Sequence, residues 1–438
     1  METLPEPAEP GGADSVAVAG ISELDLNAAA ATVVEEPLRL RLRMRVPSRR
    51  RNRARLSESA RQELLWITVI YLGARGLLLL VAYLNGAFGH HNFLGELANW
   101  DGMWYRAIAN HGYPDHVSYA QTNLGFFPLF PLAIFALREP LLLIFNHDAI
   151  WCATVAGAVI SGIGGWIATV MVHRLAEGWW DRETARRATI LFVVFPGSVV
   201  FSMVYSEGLL LPLAAGCIYA LERRRWVLAG ILAGFGTAVQ PVGLVLAPVC
   251  LFSALLEWRR WGWSLRPARR AFLAPLLSVT GVGAFMAFLW AWTGSPMATY
   301  IAQHHGWSET TTPLSLYNMA EKLSDEISFS HFNEPTINLN LVIGLIGGVV
   351  LLIWLVLVYR SRREISPEAI LWTLAIAFLA FTSSNVPPLP RMLITAFPAL
   401  MAVGRYVRGR WFSVILWGNG ILLAGLSMLT FYGFTLRP

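Results

Sequence analysis

The sequence predicts an all-α polytopic membrane protein, and three observations predict it. Its 438 residues are 55% hydrophobic and only 14% charged, where a soluble domain carries about 25% charged residues. Many apolar runs approach or exceed the ~20 residues that a helix needs to cross a bilayer. Arginine clusters recur between those runs, the pattern of cytoplasmic loops. Cys152, Cys217 and Cys250 all sit in apolar segments without CxxC spacing, so neither a disulfide frame nor a zinc site is indicated. The net charge of +6 follows the membrane orientation and does not call for a nucleic-acid partner.

Residues 1–38 are rich in Ala, Glu, Pro and Gly and read as a disordered tail. They show no basic start followed by a short apolar core, so no signal peptide is expected. Residues 39–63 hold ten arginines. Such a run can bind nucleic acid; directly before a span it reads better as a cytoplasmic anchor on anionic lipid. The N-terminus is therefore placed inside.

Residues 64–438 form the membrane-embedded region, with about 11 spans: 64–84, 149–172, 188–203, 208–221, 227–239, 242–256, 271–292, 341–359, 369–382, 390–404 and 411–431. The stretch 124–147 is interrupted by Arg138, Glu139 and Pro140. It is expected to dip and return, or to form a short hairpin, shielded by protein. Two outer loops, 85–123 and 293–340, then carry one basic residue each, Arg106 and Lys322, while 28 of the 34 lysines and arginines fall inside.

The outer layer gathers the polar chemistry. Its centre is Asn99-Trp100-Asp101-Gly102-Met103-Trp104-Tyr105-Arg106, ending at Gly112-Tyr113-Pro114. Asn99 is expected to cap a short interfacial helix, with Gly112 and Pro114 stopping it. Asp101 then lies in the first turn, where the helix dipole favours a carboxylate. Trp100, Trp104 and Ile108 recur at helical spacing, and Trp and Tyr favour the lipid–water boundary. An aromatic anchor with a solvated Asp is the plainer alternative.

Tyr205-Ser206-Glu207, Gln240, Gln303-His304-His305 and Pro390-Arg391 fall on the same side, as do seven of the nine histidines. Glu207 is a functional candidate at the start of a span, or a cap. Arg391 is placed to fork onto a phosphate, or to snorkel. The pairs His90-His91 and His304-His305 suit a metal poorly, because adjacent residues do not share a helix face. No metal site or cofactor is expected. An acid-bearing aromatic layer of this size suits an enzyme acting on a lipid-linked substrate at the outer surface.

Five motifs in order carry a family resemblance. They are Trp100-Asp101-Gly102-x-Trp104-Tyr105 with Gly112-Tyr113, then Phe126-Phe127-Pro128-Leu129-Phe130-Pro131, Phe195-Pro196, Tyr205-Ser206-Glu207, and Pro390-Arg391. Over residues 64–435 the chain resembles the PIG-V-type mannosyltransferases and their bacterial relatives, polytopic glycosyltransferases of the GT-C class. The resemblance implies a GT-C-like bundle with outer-face loops and interfacial helices. It implies inverting transfer of a sugar, mannose in the usual case, from a polyprenyl-phosphate donor to a lipid-linked, glycan or protein hydroxyl. It places the base in the first outer loop, by position Asp101. Gln240-Pro241-Val242-Gly243 departs from the family, which tends to show Arg before a similar Pro-x-Gly. A bacterial plasma-membrane enzyme fits this departure better than one of GPI assembly.

A polyprenyl phosphate needs little acid help to leave, whereas the acceptor hydroxyl must lose its proton. One carboxylate, Asp101, is the minimum. The leaving phosphate needs fixed donors: Arg391 first, then Arg106 or a loop histidine, His304 or His305. Glu207, Tyr205 and Gln240 are assigned to substrate binding, with Trp100, Trp104 and Tyr105 stacking on a sugar or guiding the prenyl chain. The rival reading is a lipid or sugar transporter or flippase without transferase activity. Its signature, paired inverted halves with a midplane site, is not evident in the sequence.

Overall fold

The computed structural model describes residues 49–89, 93–145, 147–329, 338–384, 388–431 and 436–438. The tail 1–38 and the basic run to residue 48 lie outside the described residues, as do His90, His91 and His331. The chain divides into two compact units, Met1–Gln62 and Glu63–Pro438, and the second carries every candidate site residue.

The described residues are helical, with one isolated bridge between Thr311 and Ser383. Among the described residues six helices are long and apolar enough to cross a bilayer: Glu58–Phe88, Ala149–Trp179, Pro241–Arg260, Leu265–Thr293, Leu339–Arg360 and Gly409–Phe431. A seventh candidate is the pair Arg182–Val194 and Pro196–Ser202, bent by 69° at its break. The apolar runs at Glu207–Glu222, Trp226–Thr237 and Pro367–Thr382 form helices of 12 to 16 residues. At 1.5 Å per residue these fall short of a ~30 Å hydrocarbon core. Counting apolar runs does not register that difference.

Local chemistry sets the helix ends. Asp148 accepts from the Trp151 N–H at 2.7 Å and Asp181 from the Thr184 N–H at 2.8 Å, each satisfying an orphan donor of a first turn. Gly294 closes Thr280–Thr293 in the left-handed region, at φ 76°, where a Cβ would be strained.

Among the described residues of 124–147 the chain forms one α-helix, Leu129–Ile144, preceded by a short 3-10 turn at Asn123–Gly125, and no hairpin. Pro140 lies within it, and Arg138 is satisfied without a turn. Its guanidinium donates to Ala109 O at 2.8 Å and to Asn110 Oδ1 at 2.7 Å. At the other end the Leu129 N–H donates to Ala238 O at 3.0 Å.

Close packing of small residues positions the site. Ala149–Trp179 lies against Glu207–Glu222 so tightly that a Cβ on Gly164 would collide with Gly208 O, the small-residue contact of packed membrane helices. A Cβ on Gly197 would likewise strike Pro390 O, so the bent 196–202 segment touches the chain just before Arg391. Arg75, buried on the first span, donates to Val193 O at 2.9 Å and to Ser198 Oγ at 2.8 Å, and also to Ser198 O. It thereby satisfies backbone acceptors freed where that segment leaves α-helical geometry.

Candidate active site

The motif helix runs Asp101–His111. Its cap differs from expectation: Trp100, not Asn99, precedes the first turn, and no side chain caps it. Trp100 adopts φ 59°, a conformation rare for a bulky residue and found mostly where surroundings enforce it. The Met103 N–H reaches Trp100 O at 3.1 Å, so backbone replaces the Asn99 cap. Gly112 ends the helix as expected, at φ 75°, its N–H on Ile108 O at 2.8 Å. Gly102 lies on the 203–206 segment: a Cβ there would sit 3.2 Å from Val204 O.

That segment supplies a chain of hydrogen bonds. The Asp101 N–H donates to Tyr205 Oη at 3.3 Å. Tyr105 Oη and Ser206 Oγ lie 2.7 Å apart, and Ser206 Oγ donates to Gln240 Oε1 at 2.6 Å. Burial pushes both the Tyr105 and Tyr205 phenols well above their ordinary pKa, with Asp101's charge adding to the effect; both stay protonated. Glu207 is 6% exposed, and among the described residues its Oε2 has no hydrogen-bond partner. A buried acceptor left unmade is costly, which suits an atom meant for a ligand.

Arg391 enters from the short helix Pro390–Thr395. Its Nη1 donates to Asp101 Oδ2, and its Cζ lies 5.8 Å from the Tyr205 ring centre. Asp101, Glu207, Gln240, Tyr105 and Arg391 line one cavity of about 320 Å³. Arg391 is the only cation among the described residues lining it. An adjoining cavity of about 590 Å³ shares Asp101 and Arg391 and adds Trp100, Trp104 and Tyr205. There Trp104 stacks on Phe126 at 5.9 Å and meets Trp307 edge-on at 5.2 Å.

Three expected residues lie elsewhere. Arg106 donates to Thr154 Oγ1 at 3.2 Å and lines neither cavity. Burial lowers its pKa. His304 and His305 also line neither; their rings pack on Tyr300 and Tyr119. In their place stands Gln303, in the π-turn Ala302–Gly306, which donates to Gly125 O at 2.7 Å and lines both cavities. Glu309 was also missed; it lines both and accepts from Ser383 Oγ at 2.6 Å. Among the described residues no three His, Cys, Asp or Glu side chains gather as metal ligands.

The helical bundle that carries this polar, aromatic-walled cavity is GT-C-like in fold. The fold is similar to that of ArnT from Cupriavidus metallidurans, crystallised with undecaprenyl phosphate, at a TM-score of 0.50 and 15% identity over 82% of this chain and 64% of that one. The family described as Mannosyltransferase (PIG-V) matches residues 87–363, and the chain belongs to that family, as its motifs lead one to expect. It is 31% identical over 166 residues to GPI alpha-1,6-mannosyltransferase 2 of Rattus norvegicus, 36% of this chain and 32% of the relative. To the human protein of the same name it is 29% identical over 185 residues, 41% and 36% of the two chains. The chain thus matches about a third of the length of these curated relatives.

Proposed function

We propose that the protein transfers a sugar, mannose in the first instance, from a polyprenyl-phosphate donor to a hydroxyl of a lipid-linked or glycan acceptor, with inversion. The reaction would occur on the membrane face away from the arginine-rich loops. The observation that carries this reading is the convergence of Asp101, Glu207 and Arg391 on one cavity. A carboxylate, a guanidinium and an acceptor atom are the groups such a transfer needs.

In this mechanism the acceptor oxygen attacks the anomeric carbon from the face opposite the phosphate. The bond from that carbon to the phosphate oxygen breaks, and polyprenyl phosphate leaves with the bonding electrons. The acceptor proton passes to Asp101. Arg391 stabilises the charge that develops on the leaving phosphate, as a fixed donor in a partly water-excluded site. Before the donor arrives Arg391 is paired with Asp101. An incoming phosphate competes for the guanidinium and frees the carboxylate for the acceptor. Glu207 Oε2 takes a hydrogen bond from a sugar hydroxyl, and Trp104 supplies an aromatic face to the ring.

Gln240, neutral where the family tends to show Arg, holds Ser206 and leaves Arg391 to meet the phosphate. The test is transfer from labelled polyprenyl-phosphate mannose by protein in lipid nanodiscs, with a hydroxyl-bearing mannolipid as acceptor. Donor-dependent product lost in Asp101→Asn supports the reading; no product from any polyprenyl-phosphate sugar overturns it.

A further inference from the structure

Beyond Trp100 lies a second polar cavity, of about 550 Å³, that the mechanism above does not use. Trp100 and Arg437 line both this cavity and the larger reaction cavity. They meet with the Arg437 Cζ 5.3 Å from the indole ring centre. The Arg437 N–H donates to Asn340 Oδ1 at 2.9 Å, which ties this partition to the cavity's far wall.

The Thr311–Ser383 bridge forms another shared wall. The Thr312 N–H donates to Thr382 O at 2.7 Å, and the Ser384 N–H to Thr310 O at 3.0 Å. Successive side chains of an extended strand point to opposite faces. Accordingly Thr311 and Ser383 line the smaller reaction cavity, while Thr312 and Ser384 line the second one.

The helix Ser315–Phe329 turns one face inward. Asn318, Glu321, Lys322 and Asp325 all line the cavity, at the i, i+3, i+4, i+7 spacing of a single helix face. Across from them stand Asn338 and Asn340. Two carboxylates, Glu321 and Asp325, balance two cations, Lys322 and Arg437, so the lining is polar without a charge excess. A phosphate-rich ligand would meet repulsion as well as attraction. A prenyl chain would find Met319 and Leu341 as the only aliphatic walls among the described lining residues. Amides and carboxylates offer paired acceptors and donors to neighbouring hydroxyls, and an indole face packs against the C–H face of a pyranose.

We propose that this cavity is a second carbohydrate subsite, holding a neutral hexose of the acceptor next to the unit that receives the transferred sugar. The proposal rests on the reading of the reaction cavity as a sugar-transfer site. It makes the acceptor an oligosaccharide-bearing molecule that reaches past Trp100.

Lys322 makes the test direct, because it is the chain's only lysine. Purified protein in nanodiscs is acetylated with an N-hydroxysuccinimide ester, and modification of Lys322 is followed by mass spectrometry. The N-terminal amine serves as the internal reference. Methyl α-mannoside, α-1,6-mannobiose and inorganic phosphate are compared at roughly 10–100 mM, a range that covers the millimolar affinities of weak ligands. Mannobiose should slow Lys322 acetylation at least threefold and leave the reference unchanged, with phosphate ineffective. The double variant Asn318→Ala, Asp325→Ala, in which both changes favour helix, should abolish that protection.

No protection by mannobiose, equal protection by phosphate, or protection that survives the double variant would each overturn the subsite. The readout requires no turnover. Protection of Lys322 in a protein that transfers nothing would leave a carbohydrate-binding cavity standing, without its acceptor role, while the reaction reading fell. Transfer without protection would do the reverse.

Discussion

Arg391 donates to Asp101 across 290 positions of chain. The pair holds the Asp101 carboxylate in the smaller cavity, where Arg391 is the one guanidinium among the described lining residues. In the proposed reaction an incoming phosphate takes the guanidinium before the carboxylate is free for the acceptor. The motif acid and the late arginine, unrelated in sequence, form one device.

Asp101→Asn should keep the fold, since size and most hydrogen bonding persist, and donor binding should survive. Transfer per folded protein should fall by roughly 10²–10⁴-fold, the usual weight of general-base assistance. Glu207→Gln should cost less, because an amide oxygen still accepts from a sugar hydroxyl. Near-normal turnover by Asp101→Asn would move the base assignment to Glu207.

Arg391→Gln is expected to raise the donor KM by roughly tenfold or more, the scale of a lost hydrogen bond to a charged group. Arg391→Lys should recover part of the loss, since charge returns without the planar fork. Steady-state kinetics at varied donor and saturating acceptor separates this from a loss of kcat alone. An unchanged donor KM in Arg391→Gln would remove the residue from phosphate binding.

Chelation should leave transfer intact. With Arg391 meeting the leaving phosphate, protein dialysed against EDTA should retain its rate within about twofold. A loss restored by Mg²⁺ or Mn²⁺ would replace the guanidinium with a metal in this mechanism.

The arginine distribution predicts the orientation. Tyr317, 63% exposed on the helix Ser315–Phe329, should react from outside the cell with a membrane-impermeant maleimide when changed to Cys. Arg224→Cys should react only after the membrane is opened. The native Cys152, Cys217 and Cys250 are buried and should give a low background. The opposite labelling pattern would put the candidate site on the cytoplasmic side.

The legibility of the site varied with the range of the interactions that build it. Asp101, Glu207 and Arg391 stand at motif positions flanked by apolar runs, so topology brought them to one face. Arg106 was misplaced although the signal existed. Five residues along a helix is a rotation of about 140°, which turns Arg106 away from Asp101, while Trp104 and Tyr105 stay near its face. The backbone cap at Trp100 was illegible, because a positive φ at a bulky residue has no signature in residue type. Gln303 displaced His304 and His305 through a π-turn, whose extra residue no pattern of residue types announced. Glu309 reached the site through Ser383, 74 positions away, and such a pairing leaves no local trace. Arg138 read as a chain reversal because its partners, Ala109 and Asn110, lie in another segment.

The separation of Asp101 from Arg391 also has a consequence in time. Synthesis proceeds at roughly 5–20 residues per second. The acid therefore waits on the order of 15–60 s after leaving the ribosome before its guanidinium exists. During that interval the growing chain has the acid and the aromatic helix, and later Glu207, but not the guanidinium proposed to meet the phosphate. Under the proposed mechanism a nascent or prematurely terminated chain thus has no route to consume lipid-linked sugar. Under that mechanism competence comes late, with the Pro390–Thr395 helix.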